Sequence, residues 1–318
     1  MKKSTATVAV QIEDLFIVKL SIVMPFLIPL LTKYVKIHSF LVDTIRTLMP
    51  CLISNVEDLP NVWIMKQVGN VVKERLRSGT KQLDLLQLML DAATDDEVKD
   101  HDDNELMLKH LHYTEVLMNV FLFMVAGFDT TATMLAFCTY ILATKAEVHK
   151  KLQAEIDEHW QDNRKELNYD VIANMPYMDM FLREILRMYS FLGRVTIREC
   201  NETTVICGHL IEKGTIIMPD VHSVHHNIDL WGPEDVNRFI PERHAVKRHP
   251  AALIAFGIGP RNCIGMRFAL MALKMSLTYL LHTYNILPGE KIYQGMTLRE
   301  TNVTEPEAIN VRLEKRLK

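Results

Sequence analysis

The sequence predicts a mainly α protein with small β elements, and two helical patterns carry most of this prediction. From 59 to 76, apolar residues recur at steps of three and four, which gives a helix one apolar face. A longer apolar run over 104–143 predicts one long helix. Between 203 and 218 the pattern alternates instead, with Gly208 and Gly214 at turns, and this predicts a small sheet of short strands.

The other elements follow from shorter patterns. We expect a solvated acidic loop at 95–103 and a terminal hairpin at 291–318. The run 15–31 is interrupted by Lys19 and two prolines, so it predicts a core or membrane-grazing segment rather than a membrane span. Further helical stretches are 15–31, 33–49, 82–92, 146–160, 181–189 and 266–284.

Composition describes an ordinary globular protein. Of the 318 residues, 48% are hydrophobic and 24% charged, and the formal net charge of -3 gives no sign of a nucleic-acid partner. The five cysteines form an odd, scattered set, which favours a reducing compartment over a disulfide framework. The first ten residues make a poor signal peptide, because polar and acidic residues follow the two lysines.

One cysteine lies among glycines at the start of a predicted helix. The stretch 256–265 reads Phe-Gly-Ile-Gly-Pro-Arg-Asn-Cys-Ile-Gly. Its glycines let the backbone approach a flat or bulky group closely, and Pro260 stiffens the turn. A thiolate at Cys263 would be stabilised by the amides of the helix N-terminus and by Arg261. Cys263 is therefore a candidate metal ligand or nucleophile, whereas a simple buried cysteine would leave the phenylalanine and the arginine unexplained.

These residues spell F-x-x-G-x-R-x-C-x-G, and the stretch resembles the haem-binding loop of the cytochrome P450 family, in particular its 3A and thromboxane-synthase type. The resemblance implies the helix-rich fold of that family, truncated, with haem b held by Cys263 as the axial ligand. Arg198, with Arg194 as the alternative, would meet a haem propionate alongside Arg261. The further cofactor-binding residues that the resemblance implies are Phe256, Gly257, Gly265 and Ala126.

A second motif lies in the middle of the long helix. Gly127 and the adjacent threonines predict a local opening of the helix, because glycine is a poor helix former and threonine hydroxyls divert backbone hydrogen bonds. The segment 126–131 resembles the family's A-G-x-D/E-T-T motif, which implies that Asp129 and Thr130 relay protons to bound dioxygen. Taken alone, the pair would be a helix-bending polar pair facing solvent.

A third motif joins two distant segments. Glu184 and Arg187 lie three apart on a predicted helix, which alone would indicate an ordinary surface pair. Read with Pro241-Glu242-Arg243, they resemble the family's E-x-x-R and P-E-R elements, which implies a buried triad of Glu184, Arg187 and Arg243 that positions Cys263. The family usually has phenylalanine where His244 stands.

Three nearby histidines lack further ligands at zinc-finger spacing. The stretch 226–231 instead resembles the family's H-x-D-x-x-W structural turn, with His226 as its histidine.

The resemblance implies a monooxygenase that inserts one oxygen atom into a lipophilic small molecule, with electrons from NADPH-cytochrome P450 reductase. It implies the cytoplasmic face of the endoplasmic reticulum membrane and peripheral membrane contact, although the sequence has no obvious anchor. The residues expected to line the substrate pocket are Leu122, Val125, Phe191, Leu192 and Gly193, with the tip 302–306. The residues expected to dock the reductase are Lys247, Arg248, Arg267 and Lys274.

We therefore expect one partial cytochrome P450 domain over 1–318. Its parts would be a region at 15–103 like the family's F and G helices, the long distal helix at 104–143, and the proximal helices, cysteine loop and terminal hairpin at 144–318. From the resemblance, we expect the family's N-terminal anchor and first helices to be missing from this sequence. Two alternatives stay open: a haem-thiolate isomerase of the thromboxane-synthase kind, and a truncated, inactive haem-binding fragment.

Overall fold

The computed structural model describes residues 60–79, 81–93, 111–160, 167–190, 197–300 and 303–317, together with the isolated helical positions 33, 37, 40 and 44. The chain divides into two compact units, Met1–Ala126 and Gly127–Lys318. The predictions for 15–31 and for the acidic loop lie outside the described residues, as does most of 33–49.

The first unit contains two of the predicted helices. Helix α1, Pro60–Ser78, confirms the helix predicted at 59–76, and it buries Val68 and Val72 on one face. Helix α2, Leu85–Asp91, begins after Asp84, whose carboxylate accepts the amide hydrogen of Gln87 at 2.8 Å. The guanidinium of Arg75 also binds this carboxylate, at 2.8 Å, and so joins the two helices.

Helix α3, Tyr113–Thr144, runs through the boundary between the two units. The predicted local opening at Gly127 was wrong, because the helix is continuous through this residue. A glycine costs a helix about 1 kcal/mol relative to alanine, whereas each backbone group left unpaired costs about 1–3 kcal/mol. With a mean hydropathy of 1.7 in its most apolar window, α3 is long and apolar enough to cross a membrane. Its second half instead buries Phe137 and Ile141 in a protein core.

Helices form the core of the second unit. The predicted helices at 146–160, 181–189 and 266–284 are confirmed, although the second begins five residues earlier, at Pro176. The carboxylate of Glu155 accepts the amide hydrogens of Tyr177 and Met178, at 2.6 and 2.8 Å, and so holds together two of these helices. The helices of this unit after α3 are α4 (Ala146–His159), α5 (Tyr169–Ala173), α6 (Pro176–Met188), α7 (Val221–His225), α8 (Ile228–Trp231) and α9 (Met266–Thr283), with a 3-10 turn at Pro241–Ala245.

The strands of the second unit form small antiparallel pairs. Strand β1 (Arg198–Glu199) pairs with β4 (Ile216–Ile217), and β2 (Thr204–Ile206) pairs with β3 (His209–Ile211), which confirms the predicted small sheet. The predicted terminal hairpin is confirmed for β6 (Leu298–Glu300) and β7 (Thr304–Pro306). The last strand, β8 (Val311–Lys315), pairs with β5 (Tyr284–Pro288), a pairing that the sequence did not predict.

Candidate functional site

The loop at 256–265 folds on itself and leaves Cys263 exposed. The Cys263 amide donates to the carbonyl of Phe256 at 2.8 Å, and the Gly257 amide donates to the carbonyl of Ile254 at 2.9 Å. The φ angles of Gly257 and Gly259 are +74° and +80°, in the left-handed region that glycine adopts without steric penalty. These two glycines allow the chain to turn back, so that Cys263 comes directly before α9 as an exposed free thiol.

Helix α9 begins immediately after the loop. Its N-cap is Gly265, and the first amides of a helix have no partners within the helix. An 18-residue helix carries partial positive charge at this end, which favours an anion such as a thiolate. A Cβ added at Gly265 would lie 3.9 Å from Cys263 Sγ, so the glycine leaves space beside the sulfur.

Two of the predicted propionate-binding arginines lie next to each other. Arg198, on β1, is exposed, and its Nη2 donates to the backbone carbonyl of Arg261 at 3.4 Å. Arg261 is also exposed, two residues before Cys263. The alternative residue, Arg194, lies outside the described residues. The loop therefore carries positive charge close to the cysteine.

A buried carboxylate lies at the centre of the predicted triad. Glu184, Arg187 and Arg243 are all buried, with side chains that are 0% exposed. Arg187 binds the carboxylate through Nε at 2.8 Å and Nη2 at 2.9 Å, while Arg243 Nε binds it at 3.0 Å. The Ile240 amide adds a hydrogen bond of 3.0 Å. A carboxylate held in this way braces α6 against the 3-10 turn that carries Arg243.

The sequence analysis missed the part that His244 plays in this cluster. Its Nε2 lies 2.9 Å from Glu184 Oε2. Burial lowers the pKa of His244 despite the nearby carboxylate, so the ring is neutral at pH 7 and donates its Nε2 hydrogen to Glu184. Burial opposes ionisation of Glu184, but hydrogen bonds from Arg187 and His244 outweigh it and lower the pKa of Glu184 to about 2. The only sequence signal was the absence of the family's phenylalanine.

The sequence analysis considered His222, His225 and His226 only as a histidine cluster, and so missed the structural part that His225 plays. Its side chain is buried, whereas its neighbour His226, which the sequence indicated, is only partly buried. His225 Nε2 accepts the amide hydrogen of Ile254 at 3.0 Å, and its carbonyl accepts from Arg187 Nη1 at 2.9 Å. No residue pattern distinguishes it from the adjacent histidine, because burial on a five-residue helix depends on distant segments.

The residues predicted for the proton relay and for the substrate pocket lie partly on α3 and partly outside the described residues. Asp129 and Thr130 are partly buried on α3, in the second unit together with Cys263. Leu122 and Ala126 are exposed and Val125 is partly buried, and all three belong to the first unit. The other pocket residues predicted from the sequence, Phe191, Leu192 and Gly193, lie outside the described residues.

Two of the four residues predicted to dock a reductase are engaged elsewhere. Lys274 is 6% exposed, and its ammonium group binds the carbonyl of Ala173 at 2.7 Å and the carboxylate of Asp179 at 3.2 Å. Arg248 is partly buried and donates to the carbonyl of Gly232 at 2.7 Å. The prediction was wrong for Lys274, because its side chain is buried, whereas Lys247 and Arg267 are exposed.

An exposed thiol at the N-terminus of a long helix is a site where a thiolate would be stabilised, as in the haem-thiolate class of protein that the sequence resembles. Comparison with known families agrees with this class. The family model described as cytochrome P450 matches residues 7–309, so the chain belongs to the cytochrome P450 family.

Known members of the family are similar over most of this chain. Cytochrome P450 3A12 of Canis lupus familiaris is 35% identical over 79% of the chain and 51% of its own length. Cytochrome P450 3A5 of Homo sapiens is 35% identical over 77% of the chain and 47% of its own length. A crystal structure of a cytochrome P450 (CYP102L1) superposes with a TM-score of 0.69 and 25% identity, over 80% of this chain and 55% of that one. The chain thus spans about half the length of the curated relatives that it matches.

The residues around Cys263 fit a haem group. The thiol is exposed, and the backbone of Gly265 leaves space beside it for a flat ligand. Ile264, directly after the cysteine, is 82% exposed, so a bound macrocycle would cover an apolar side chain that otherwise faces water. Arg198 and Arg261 supply the guanidinium groups that would pair with carboxylates such as propionates.

Proposed function

We propose that this chain acts as a haem-thiolate monooxygenase, with Cys263 as the axial ligand. The observation that carries the proposal is the exposed Cys263 thiol, which lies just before α9 on a loop that turns at two glycines with positive φ. The chain that carries this thiol belongs to the cytochrome P450 family. Membership of the family supports oxygen insertion as the reaction. The bound haem would supply the oxidising chemistry, and the chain would hold it and control protons and access.

Each remaining role follows from the chemistry of a side chain. Arg198 and Arg261 would bind the haem propionates, and the thiolate of Cys263 would bind the iron. Asp129 and Thr130 would hold a proton at their side-chain oxygens and pass it toward the distal side. The hydroxyl of Thr130 and the carboxyl of Asp129 argue against an isomerase of the thromboxane-synthase kind, because an isomerase has no dioxygen to protonate.

The substrate that we propose is a lipophilic small molecule. This is supported by the apolar character of α3 before its polar pair, including Leu122 and Val125.

Electrons would come from NADPH through a flavin reductase at the endoplasmic reticulum membrane, as the likeness to 3A enzymes suggests. Lys247 and Arg267 would contribute to docking. Reversing both charges should then weaken reductase binding at low salt, and equal affinity would contradict this assignment.

The test is a carbon monoxide difference spectrum of the full chain, reconstituted with haem and reduced. The chain should give the absorption band diagnostic of thiolate-ligated iron, and Cys263→Ser should abolish that band. Cys207→Ser is the matched control, because Cys207 is also an exposed free thiol but lies in the β2–β3 turn. Absence of the band in a soluble, folded chain would reject the proposal and favour an inactive fragment.

A second experiment separates the monooxygenase from the isomerase. Thr130→Ala should lower the yield of oxygenated product per electron consumed, because proton delivery is lost while electron uptake continues. Thr131→Ala is the control, since the next residue lies about 100° further around the helix. An unchanged product yield per electron in Thr130→Ala would rule out the assigned proton relay.

A further inference from the structure

His225 is a fully buried histidine at the end of α7, and the assignments above give it no role. Three hydrogen bonds involve this residue. Its Nε2 lies 3.0 Å from the Ile254 amide, its Nδ1 lies 2.9 Å from Ser190 Oγ, and its carbonyl lies 2.9 Å from Arg187 Nη1. One residue therefore contacts α6, the segment just after α6, and the segment just before the cysteine loop.

The protonation state of the ring follows from these partners. A backbone amide can only donate, so Nε2 accepts from Ile254 and Nδ1 carries the ring hydrogen. Nδ1 then donates to Ser190 Oγ, whose own hydrogen goes to the carbonyl of Arg187 at 3.2 Å. Burial lowers the pKa of His225 to about 4, with further contributions from His226 and Arg187, so the ring is neutral at pH 7.

The hydrogen bonds continue from His225 to the cysteine. The carbonyl of Ile254 accepts the Gly257 amide at 2.9 Å, and the carbonyl of Phe256 accepts the Cys263 amide at 2.8 Å. The other guanidinium hydrogen bonds of Arg243 do not involve the cysteine loop, because they go to the carbonyls of Trp231, Asp235 and Arg238. Among the described residues, the hydrogen bonds of His225 lead from Arg187 to the start of the loop.

We propose that His225 is a positioning residue that couples the buried Glu184–Arg187–Arg243 cluster to the loop carrying Cys263. It holds the Ile254 amide and thereby fixes the point from which the loop turns back. The coupling itself is a property of the chain without haem. Only its consequence for iron ligation rests on the function proposed above.

The primary test is hydrogen exchange of the full chain without haem, followed at the amides of Ile254 and Cys263. His225→Leu removes the acceptor and should accelerate exchange at both amides by about 5- to 30-fold, the range expected for one buried hydrogen bond. His225→Gln can place a carbonyl oxygen near the position of Nε2, and should restore exchange to within about 3-fold of the original chain. His222→Asn, an exposed histidine on the same helix, is the matched control and should change nothing.

The Leu277 amide, in the buried core of α9, serves as the internal reference. Equal acceleration at Leu277 and at Ile254 in His225→Leu would overturn the proposal, because it would indicate a general loss of stability. Unchanged exchange at Ile254 or at Cys263 would also overturn it. If His225→Leu does not fold, Ser190→Ala decides: by removing the partner of Nδ1, it should accelerate Ile254 exchange by about 2- to 5-fold, and no acceleration would reject the coupling.

A second readout uses the haem-loaded chain. The thiolate-type carbon monoxide band should convert to the thiol-type band several-fold faster in His225→Leu than in His225→Gln or His222→Asn. Equal conversion rates would overturn the coupling to Cys263. If the unsubstituted chain gives no thiolate band, the function proposed above fails, and the exchange experiment still decides the role of His225.

Discussion

The Glu184 carboxylate shows how single residues brace α6 against the 3-10 turn that carries Arg243. Two buried guanidinium groups, one imidazole and one backbone amide all donate to it. A buried charge without partners is very costly, so the value of each donor lies mainly in what its loss would leave unpaired. His244 is the unusual donor, because its neutral ring adds a hydrogen bond without adding a third positive charge.

We predict that His244→Phe destabilises the chain by about 1 kcal/mol, the usual net value of one hydrogen bond. The loss is modest because both arginines keep their bonds to Glu184, and phenylalanine fills similar space beside Trp231. Urea unfolding at pH 7 would measure the change. His209→Phe, at an exposed position on β3, is the control. A higher unfolding free energy in His244→Phe would mean that His244 does not stabilise the cluster around Glu184.

At the level of elements, α6 has no side-chain cap from its own chain end. Met175 occupies the N-cap position without a side-chain hydrogen bond, and Glu155 of α4 accepts from the first amides instead. A carboxylate there also faces the positive end of the helix. We predict that Glu155→Ala costs about 1–2 kcal/mol in urea unfolding, while Glu158→Ala, exposed on the same helix, stays within about 0.5 kcal/mol. Equal losses of stability in the two variants would show that Glu155 does not cap α6.

The cysteine loop offers a test that separates folding from haem binding. Gly265 has a φ of -84°, and an added Cβ would meet only Cys263 Sγ, at 3.9 Å. We therefore predict that Gly265→Ala lowers the unfolding free energy by no more than about 1 kcal/mol, the usual cost of alanine at an N-cap, but weakens haem binding in a spectral titration. Gly259→Ala is the contrasting variant, because its φ of +80° should cost about 1–2 kcal/mol in folding. Unimpaired haem binding by Gly265→Ala would remove this glycine from the proposed site.

On the scale of the whole molecule, the features that could be predicted from the sequence are those that depend on local periodicity or on a local motif. The helix at Pro60–Ser78 follows from its apolar stripe, and the loop around Cys263 follows from ten consecutive residues. The pairing of β5 with β8 could not be predicted, because 22 residues, 289–310, separate the two strands along the chain. The same reason hides His225, whose partners lie 35 and 29 residues away. Continuity of α3 at Gly127 was missed because propensity is a weak guide inside a long helix.

The stability of the chain should depend on pH in two windows. The pKa of His225 falls from its usual 6.5 to about 4 on folding, and the pKa of Glu184 falls from 4.5 to about 2. In both cases the unfolded chain binds more protons between the two values, so stability is complete above the higher value and is lost as the pH falls toward the lower one. The upper window therefore belongs to His225, with smaller contributions in the same direction from His149, His226 and His244.

We predict that stability, from urea unfolding at a series of pH values, falls as the pH is lowered from 6.5 to 4. His225→Gln should reduce this slope by up to about 1.4 kcal/mol per pH unit, because one proton fewer is taken up on unfolding. His209→Asn should keep the original slope, since that residue is exposed on β3 and does not act on His225. The second decline, below pH 4.5, should persist in His225→Gln because Glu184 retains its arginines. An unaltered upper slope in His225→Gln would mean that folding does not lower the pKa of this ring, which would contradict a neutral ring whose Nε2 accepts the Ile254 amide throughout this window.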